Sequence, residues 1–204
     1  AWVSCPLQLL RYQRDAQALG LNPPSAVPNV ADDKALLGDA NSCLKTPTGN
    51  IALEEFLPTL DTTSQNVEQA AKWAQFVALQ VFTGNATWQT LFKQRFAILS
   101  DAQFDFLAET ATEVRARIRI RHETRVAADQ ALWYEENLPA ETILWGVLAA
   151  YASRDGTKYL PAAMLDQVPG PDARIQLGGK ATVGRGLARF IWAKPTAAGK
   201  GGNP

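Results

Sequence analysis

The sequence predicts an α+β fold, a sheet with helices on one face. Helix-period and strand-period segments alternate along the chain. The strand segments are amphipathic rather than uniformly apolar, which argues against a doubly wound parallel sheet. At 204 residues and 47% hydrophobic, the chain suffices for one sizeable core or two small ones.

Ala1-Trp2-Val3 is apolar from position one and reads as the tail of a buried strand. Met164 is the sole methionine, so Ala1 is expected to be an internal cut or segment boundary. Ser4 is a candidate N-cap, and Pro6 suits a first helical turn. Leu7, Leu10, Arg14 and Ala18 then recur at helical spacing, and Gly20 supplies a stop. Residues 22–40 are rich in Pro, Asn and Asp and read as a loop. Ser42–Lys45 and Ile51–Leu57 flank the turn-forming Thr46-Pro47-Thr48-Gly49-Asn50, so a hairpin is expected. In Thr63–Val81, Val67, Ala71, Ala74, Ala78 and Val81 form a helical stripe, ended by Thr83-Gly84-Asn85.

Phe96–Leu99 is a short buried strand. Ser100 with Gln103 makes a capping box for a helix carrying Phe104, Leu107 and Ala108. A long strand follows at Glu113–Arg121, then a polar excursion, His122–Gln130, and a return strand at Ala131–Glu135. Thr142–Tyr151 is a further apolar strand, residues 161–168 a short helix, and Arg174–Leu177 and Leu187–Trp192 the last strands. Residues 195–204, rich in Gly, Ala and Pro, are expected to be a disordered tail. There is no internal repeat.

Twenty basic and twenty acidic residues cancel, which argues against coating nucleic acid by bulk attraction and leaves room for a local basic track. No apolar run is long enough to span a bilayer, and no basic n-region precedes an apolar stretch. Cys5 and Cys43 therefore read as reduced thiols of a cytoplasmic protein.

Two segments carry candidate chemistry. In Gly178-Gly179-Lys180-Ala181-Thr182-Val183-Gly184-Arg185-Gly186, four glycines and two cations fall within nine residues. Exposed backbone N–H groups beside Lys and Arg suit an anion such as phosphate; a tight turn between two strands fits equally well. In Val114-Arg115-Ala116-Arg117-Ile118-Arg119-Ile120-Arg121 the alternation has period two, with four arginines on one face. Four like charges repel unless an anion neutralises them, and arginine suits phosphate. The alternatives are a solvated face or subunit salt bridges.

His122–Gln130 reads as an extended hairpin tip rather than a tight turn. In Trp133-Tyr134-Glu135-Glu136 the aromatics read as core before base-stacking groups. Glu135 and Glu136 point to opposite faces of a strand, so they cannot share a Mg²⁺ site without a bulge. His122 is the sole histidine, and two distant cysteines exclude a Cys/His zinc site.

Four segments read in order resemble a known family: Trp2–Pro6, Thr110–Ile120, Ala131–Pro139 and Leu177–Leu187. They are similar to the RAMP-type backbone subunit of type III-B CRISPR effector complexes, the Cmr complexes, from Ala1 to about Trp192. The resemblance implies a ferredoxin-like (RRM-related) palm with an extended β-hairpin thumb. Residues 1–194 would be the C-terminal portion of one such domain, with the thumb near residues 119–133. It implies head-to-tail stacking of copies on a CRISPR guide RNA, contact with other Cmr subunits, and cutting of single-stranded target RNA at regular intervals with Mg²⁺ or a similar divalent metal. Arg115, Arg117, Arg119, Arg121, His122, Arg125, Gly178, Gly179, Lys180, Thr182, Gly184 and Arg185 become the expected RNA-binding set.

One departure matters. In the family, the first strand and the loop holding the aspartate associated with cleavage precede the segment resembling Ala1-Trp2-Val3. No catalytic residue, metal ligand or resident cofactor is therefore assigned to this chain. A non-cleaving RNA-binding scaffold is the alternative. A small-molecule enzyme with an anion-binding loop is a third reading.

Overall fold

A computed structural model describes residues 1–53, 56–154, 159–170 and 172–192, with the backbone alone at 127–130. In chain order the elements are β1 (Trp2–Ser4), α1 (Pro6–Ala18), β2 (Lys34–Leu37), β3 (Thr59–Leu60), α2 (Ser64–Val81), α3 (Ala86–Gln94), β4 (Phe96–Leu99) and α4 (Asp101–Thr110). Then follow β5 (Glu113–Ile120), β6 (Ala127–Asn137), α5 (Pro161–Leu165), β7 (Ala173–Gln176) and β8 (Leu187–Phe190). The 195–204 tail lies outside the described residues. The chain divides into two compact units, residues 1–14 with 23–144 and residues 15–22 with 145–204.

In the first unit, Phe96-Ala97-Ile98-Leu99 is buried at every position because it forms an interior strand of a four-stranded sheet ordered β1-β4-β2-β3. β4 runs parallel to β1 and antiparallel to β2, and β3 runs parallel to β2. The register places Leu36 opposite Ile98, and Ala35 and Leu37 opposite Leu99 and Ala97. Paired residues share a face, so the sheet feeds two clusters. Leu36 and Ile98 pack with Leu9, Trp73, Ala74, Ala78 and Phe92 from the helices. Ala35, Leu37, Ala97 and Leu99 pack with Ile51 and Leu53, and Leu107 of α4 sits against them. Both faces are therefore covered, and the expectation of helices on one face alone does not hold.

Several elements differ from expectation. β2 lies inside the 22–40 segment that read as loop. Its apolar run is only Ala35-Leu36-Leu37, hidden between Pro, Asn and Asp. α1 turns Leu9 and Ala16 inward, with Cys5 buried just before it, and leaves Leu7 and Leu10 exposed, so the buried stripe is not the expected one. Ser4 belongs to β1 rather than capping α1. α3 was not foreseen; Asn85 caps it by accepting from Trp88 N at 3.2 Å. Around Thr46–Asn50 the expected hairpin is reduced to isolated bridges, Lys45 with Ile51 and Leu53 with Phe56, and Glu54 and Glu55 lie outside the described residues. Thr142–Tyr151 is no strand: it carries no regular structure, and Leu144, Val147, Leu148 and Tyr151 are exposed.

Other expectations hold. α2 runs through the expected helix; of its expected stripe Ala74 and Ala78 are buried, together with Ala70 and Trp73, while Val67 and Ala71 are exposed. Small residues there let the helix approach β2 closely: a Cβ added at Gly38 would meet Ala74 Cβ at 2.6 Å. Ser100 Oγ accepts from Gln103 N at 3.3 Å, the first half of the capping box. The second half is missing: Gln103 Oε1, which would accept from the Ser100 N–H, has no partner among the described residues, while Nε2 donates to Asp32 O at 2.6 Å.

In the second unit, β7 and β8 form an antiparallel pair with Ala173 opposite Phe190 and Gln176 opposite Leu187. α5 begins at Pro161, where a proline costs no helical hydrogen bond.

Candidate nucleic-acid interface

β5 and β6 are antiparallel, with Arg115 opposite Glu135, Ala116 opposite Tyr134 and Arg117 opposite Trp133. That register builds two faces. Val114, Ile118, Ile120, Leu132 and Tyr134 are all exposed, so the apolar face does not enter the core. The other face carries Glu113, Arg115, Arg117, Trp133 and Glu135. Between Ile118 and Ile120 the register shifts to Ala127, a bulge in β6.

The arginine face is mixed in charge at its base. Arg115 is ion-paired with Glu113. Arg117 Nε lies 3.1 Å from Glu135 Oε2, and Trp133 Nε1 donates to Glu135 Oε1 at 3.0 Å. Glu135 is only 7% exposed, a buried carboxylate satisfied by a guanidinium and an indole. The expected repulsion among four like charges is thus relieved within the chain for Arg115 and Arg117. Among the described residues no ion pair reaches Arg119, which is exposed. Arg121, His122 and Arg125 are exposed at the tip. The arginines paired with glutamate thus lie toward the base of the hairpin, Arg115 with Glu113 and Arg117 with Glu135.

The tip is shorter than expected. β6 begins at Ala127, so the excursion contracts to Arg121–Val126. Arg121 N donates to Val126 O and Arg125 N to Arg121 O, both at 2.9 Å. Arg125 adopts φ 55°, an unfavourable left-handed conformation for a residue with a Cβ. The side chains of residues 127–130 are outside the described set.

The glycine segment closes the β7–β8 hairpin in the second unit. Gly178, Lys180, Gly184 and Gly186 all have positive φ, and Ala181–Val183 is a single 3₁₀ turn. Val183 N and Arg185 N donate to Lys180 O, and Gly184 N to Ala181 O. Those N–H groups are spent on the turn. The N–H groups of Gly178, Gly179, Ala181 and Thr182 have no acceptor among the described residues. Gly186 is the tightest position: a Cβ there would lie 2.0 Å from Leu177 O. Gly179 has neither positive φ nor a close neighbour.

Among the described residues, three glutamates of the hairpin are held by other partners and not by one another. Glu113 and Glu135 are committed to arginines, and Glu136 Oε1 accepts from Thr112 Oγ1 at 2.7 Å. Among the described residues no group of three or more His, Cys, Asp or Glu side chains is placed to hold a metal ion. Nor is any helix among them long and apolar enough to cross a membrane.

Sequence reasoning placed Trp133 in the core and missed the Glu135 link. Alternation within β6 alone gave no warning; the signal lay in the cross-strand register, which sets Trp133 opposite Arg117.

The family model of the RAMP superfamily matches residues 23–189. The CRISPR system Cmr endoribonuclease Cmr4 of Pyrococcus furiosus is 30% identical over 192 residues, covering 93% of this chain and 61% of that protein. The crystal structure of oligomeric Cmr4 from Pyrococcus furiosus is similar with a TM-score of 0.54 at 23% identity, over 93% of this chain and 63% of the other. A second Cmr4 crystal structure gives a TM-score of 0.55 at 21% identity, over 96% of this chain and 66% of the other. The chain thus spans less than two thirds of the length of these relatives.

Proposed function

The chain belongs to the RAMP superfamily, and on that premise we propose that it is a guide-RNA-binding backbone subunit of a type III-B CRISPR effector that targets RNA. The observation that carries this is the β5–β6 hairpin. A protein gains little stability from a long hairpin exposed on both faces. Its cationic end suits a phosphate backbone, and its apolar face is the surface on which a neighbouring copy would sit. On this reading the sheet of the first unit is the ferredoxin-like palm, β5–β6 is the thumb, and the protein works in the cytoplasm with guide RNA, target RNA and other Cmr subunits. The glycine turn offers its unpaired N–H groups, with Lys180 and Arg185, as a second phosphate contact.

On this reading cleavage falls to residues outside the chain; within the hairpin, Glu113, Glu135 and Glu136 are held by other partners. That same observation supports a second reading, a scaffold that binds RNA without cutting it. Fluorescence anisotropy of the chain with a labelled single-stranded RNA, over a range of salt concentrations, tests the shared premise. Binding that weakens steeply with salt is expected; no binding at low salt overturns it. Cutting of target RNA by an assembled complex containing this chain separates the two readings.

A further inference from the structure

We propose that Trp133 is a base-stacking site for single-stranded RNA, set in place by Glu135 and flanked by Arg117 and Arg119. This rests on the RNA-binding reading and goes beyond it, because stacking needs an aromatic face where phosphate contact needs only charge.

Three observations converge. Trp133 is 41% exposed, whereas an aromatic in a strand is ordinarily core. Its one polar atom is already satisfied, Nε1 donating to Glu135 Oε1 at 3.0 Å, so the open part of the ring offers π-surface rather than a hydrogen bond. And Glu135 grips Arg117 through its second oxygen at 3.1 Å, so one buried carboxylate fixes an indole and a guanidinium side by side. Burying a carboxylate and ordering two long side chains on it is costly. Among the described residues of β5 and β6, Glu135 is the one buried side chain, so the arrangement serves no core. What it makes is a rigid aromatic beside cations, the combination by which proteins hold single strands without sequence preference. Arg117 neutralises Glu135, so a phosphate meets no bare carboxylate there, and Arg119 adds a cation two residues along the same face.

The test uses the 204-residue chain and a short fluorescein-labelled single-stranded RNA, paired with the same RNA carrying a central run of tetrahydrofuran abasic spacers. The unmodified chain is expected to bind the spacer RNA about tenfold more weakly, since stacking contributes on this order per base. Trp133→Leu loses about the same factor on the parent RNA and no longer distinguishes the two RNAs, with an unchanged salt slope. Trp133→Phe keeps most of the affinity and the discrimination. Equal binding of both RNAs by the unmodified chain overturns the proposal without any variant. So does a folded Trp133→Leu chain that still discriminates. Failure of the unmodified chain to bind either RNA overturns the RNA-binding reading itself, and is distinguishable from both.

Discussion

Asp101 Oδ1 accepts a hydrogen bond from the backbone N–H of Leu7 at 2.9 Å, so the first residue of α4 caps the first turn of α1. The two helices follow the parallel neighbours β4 and β1, which brings their starts together. Asp101→Ala should therefore lower stability by about 1 kcal/mol, the usual cost of a lost cap. Asp101→Asn, which keeps the acceptor, should cost less. Urea denaturation measures both; an unchanged midpoint for Asp101→Ala would show that the cap contributes nothing.

Cys5 lies beneath this cap. Burial, and then the Asp101 carboxylate beside it, push its thiol from 9.0 up to about 12. The neutral thiol is thus favoured in the fold. Its contribution to stability is fully present below pH 9 and is lost as the pH rises from there toward 12, by up to about 1.4 kcal/mol per pH unit. Cys5→Ala should flatten that alkaline decline. In the native protein a thiol reagent should modify the exposed Cys43 and reach buried Cys5 only on unfolding.

Arg117 and Arg119 sit on one face and should fail in different ways. Arg119→Ala should leave stability unchanged and lower the salt slope of RNA binding by about 0.7, the share of one single-strand phosphate contact. Arg117→Ala strips Glu135 of its guanidinium and should destabilise the hairpin by roughly 1–3 kcal/mol. Adding Glu135→Gln should restore most of that loss, because the buried group is then neutral. Thermal melting and anisotropy on the same samples distinguish the two effects.

The glycines of the β7–β8 turn are not equivalent. Gly186→Ala combines a positive φ with a backbone clash and should disrupt the hairpin. Gly184→Val should also be disruptive, since a β-branched residue resists φ 74°. Gly179→Val should be tolerated. Hydrogen exchange in residues 173–190 reports the outcome, and equal protection in all three variants would refute this ranking.

Gly38→Ala presses a methyl group against Ala74 and should cost about 1–3 kcal/mol, the range for overpacking. Ala74→Gly in the same chain should recover part of the loss. A chemical-denaturation series of the two single variants and the pair checks this.

Where the sequence carried its own local signal, the structure could be read in advance. Phe96–Leu99 is apolar at every position because β4 is flanked on both sides and covered on both faces. The helix from Ser64 announced itself through the spacing of Val67, Ala71, Ala74, Ala78 and Val81, though its buried side runs through Ala70 and Trp73 instead of Val67 and Ala71, and the turn after Gln176 through its glycines. β2 failed to announce itself, since three apolar residues among polar neighbours have no period to detect. Thr142–Tyr151 failed in the other direction. Its apolar run satisfies the pattern of a strand, yet a strand also needs a partner for its backbone, and pattern says nothing of partners. For α1, spacing gave the helix and not its buried side, because both Leu7-Leu10 and Cys5-Leu9 fit a helical period. At the candidate site the arginine alternation was visible, while the neutralising glutamates and the position of Trp133 depended on the register between two strands.

The parallel pairing of β1 with β4 also dictates when this protein can fold. Leu7 and Asp101 stand 94 residues apart, and the strand before each is partner to the other. On the ribosome, where chains grow at about 5–20 residues per second, β1 must wait on the order of 5–20 s for its neighbour. β2 and β3 can pair within that interval, but β4 belongs between β1 and β2, so the sheet closes when its centre arrives last. Until then Trp2 lacks its strand partner Phe96 and Leu36 lacks Ile98, so the helices made earlier have only part of the sheet to pack against.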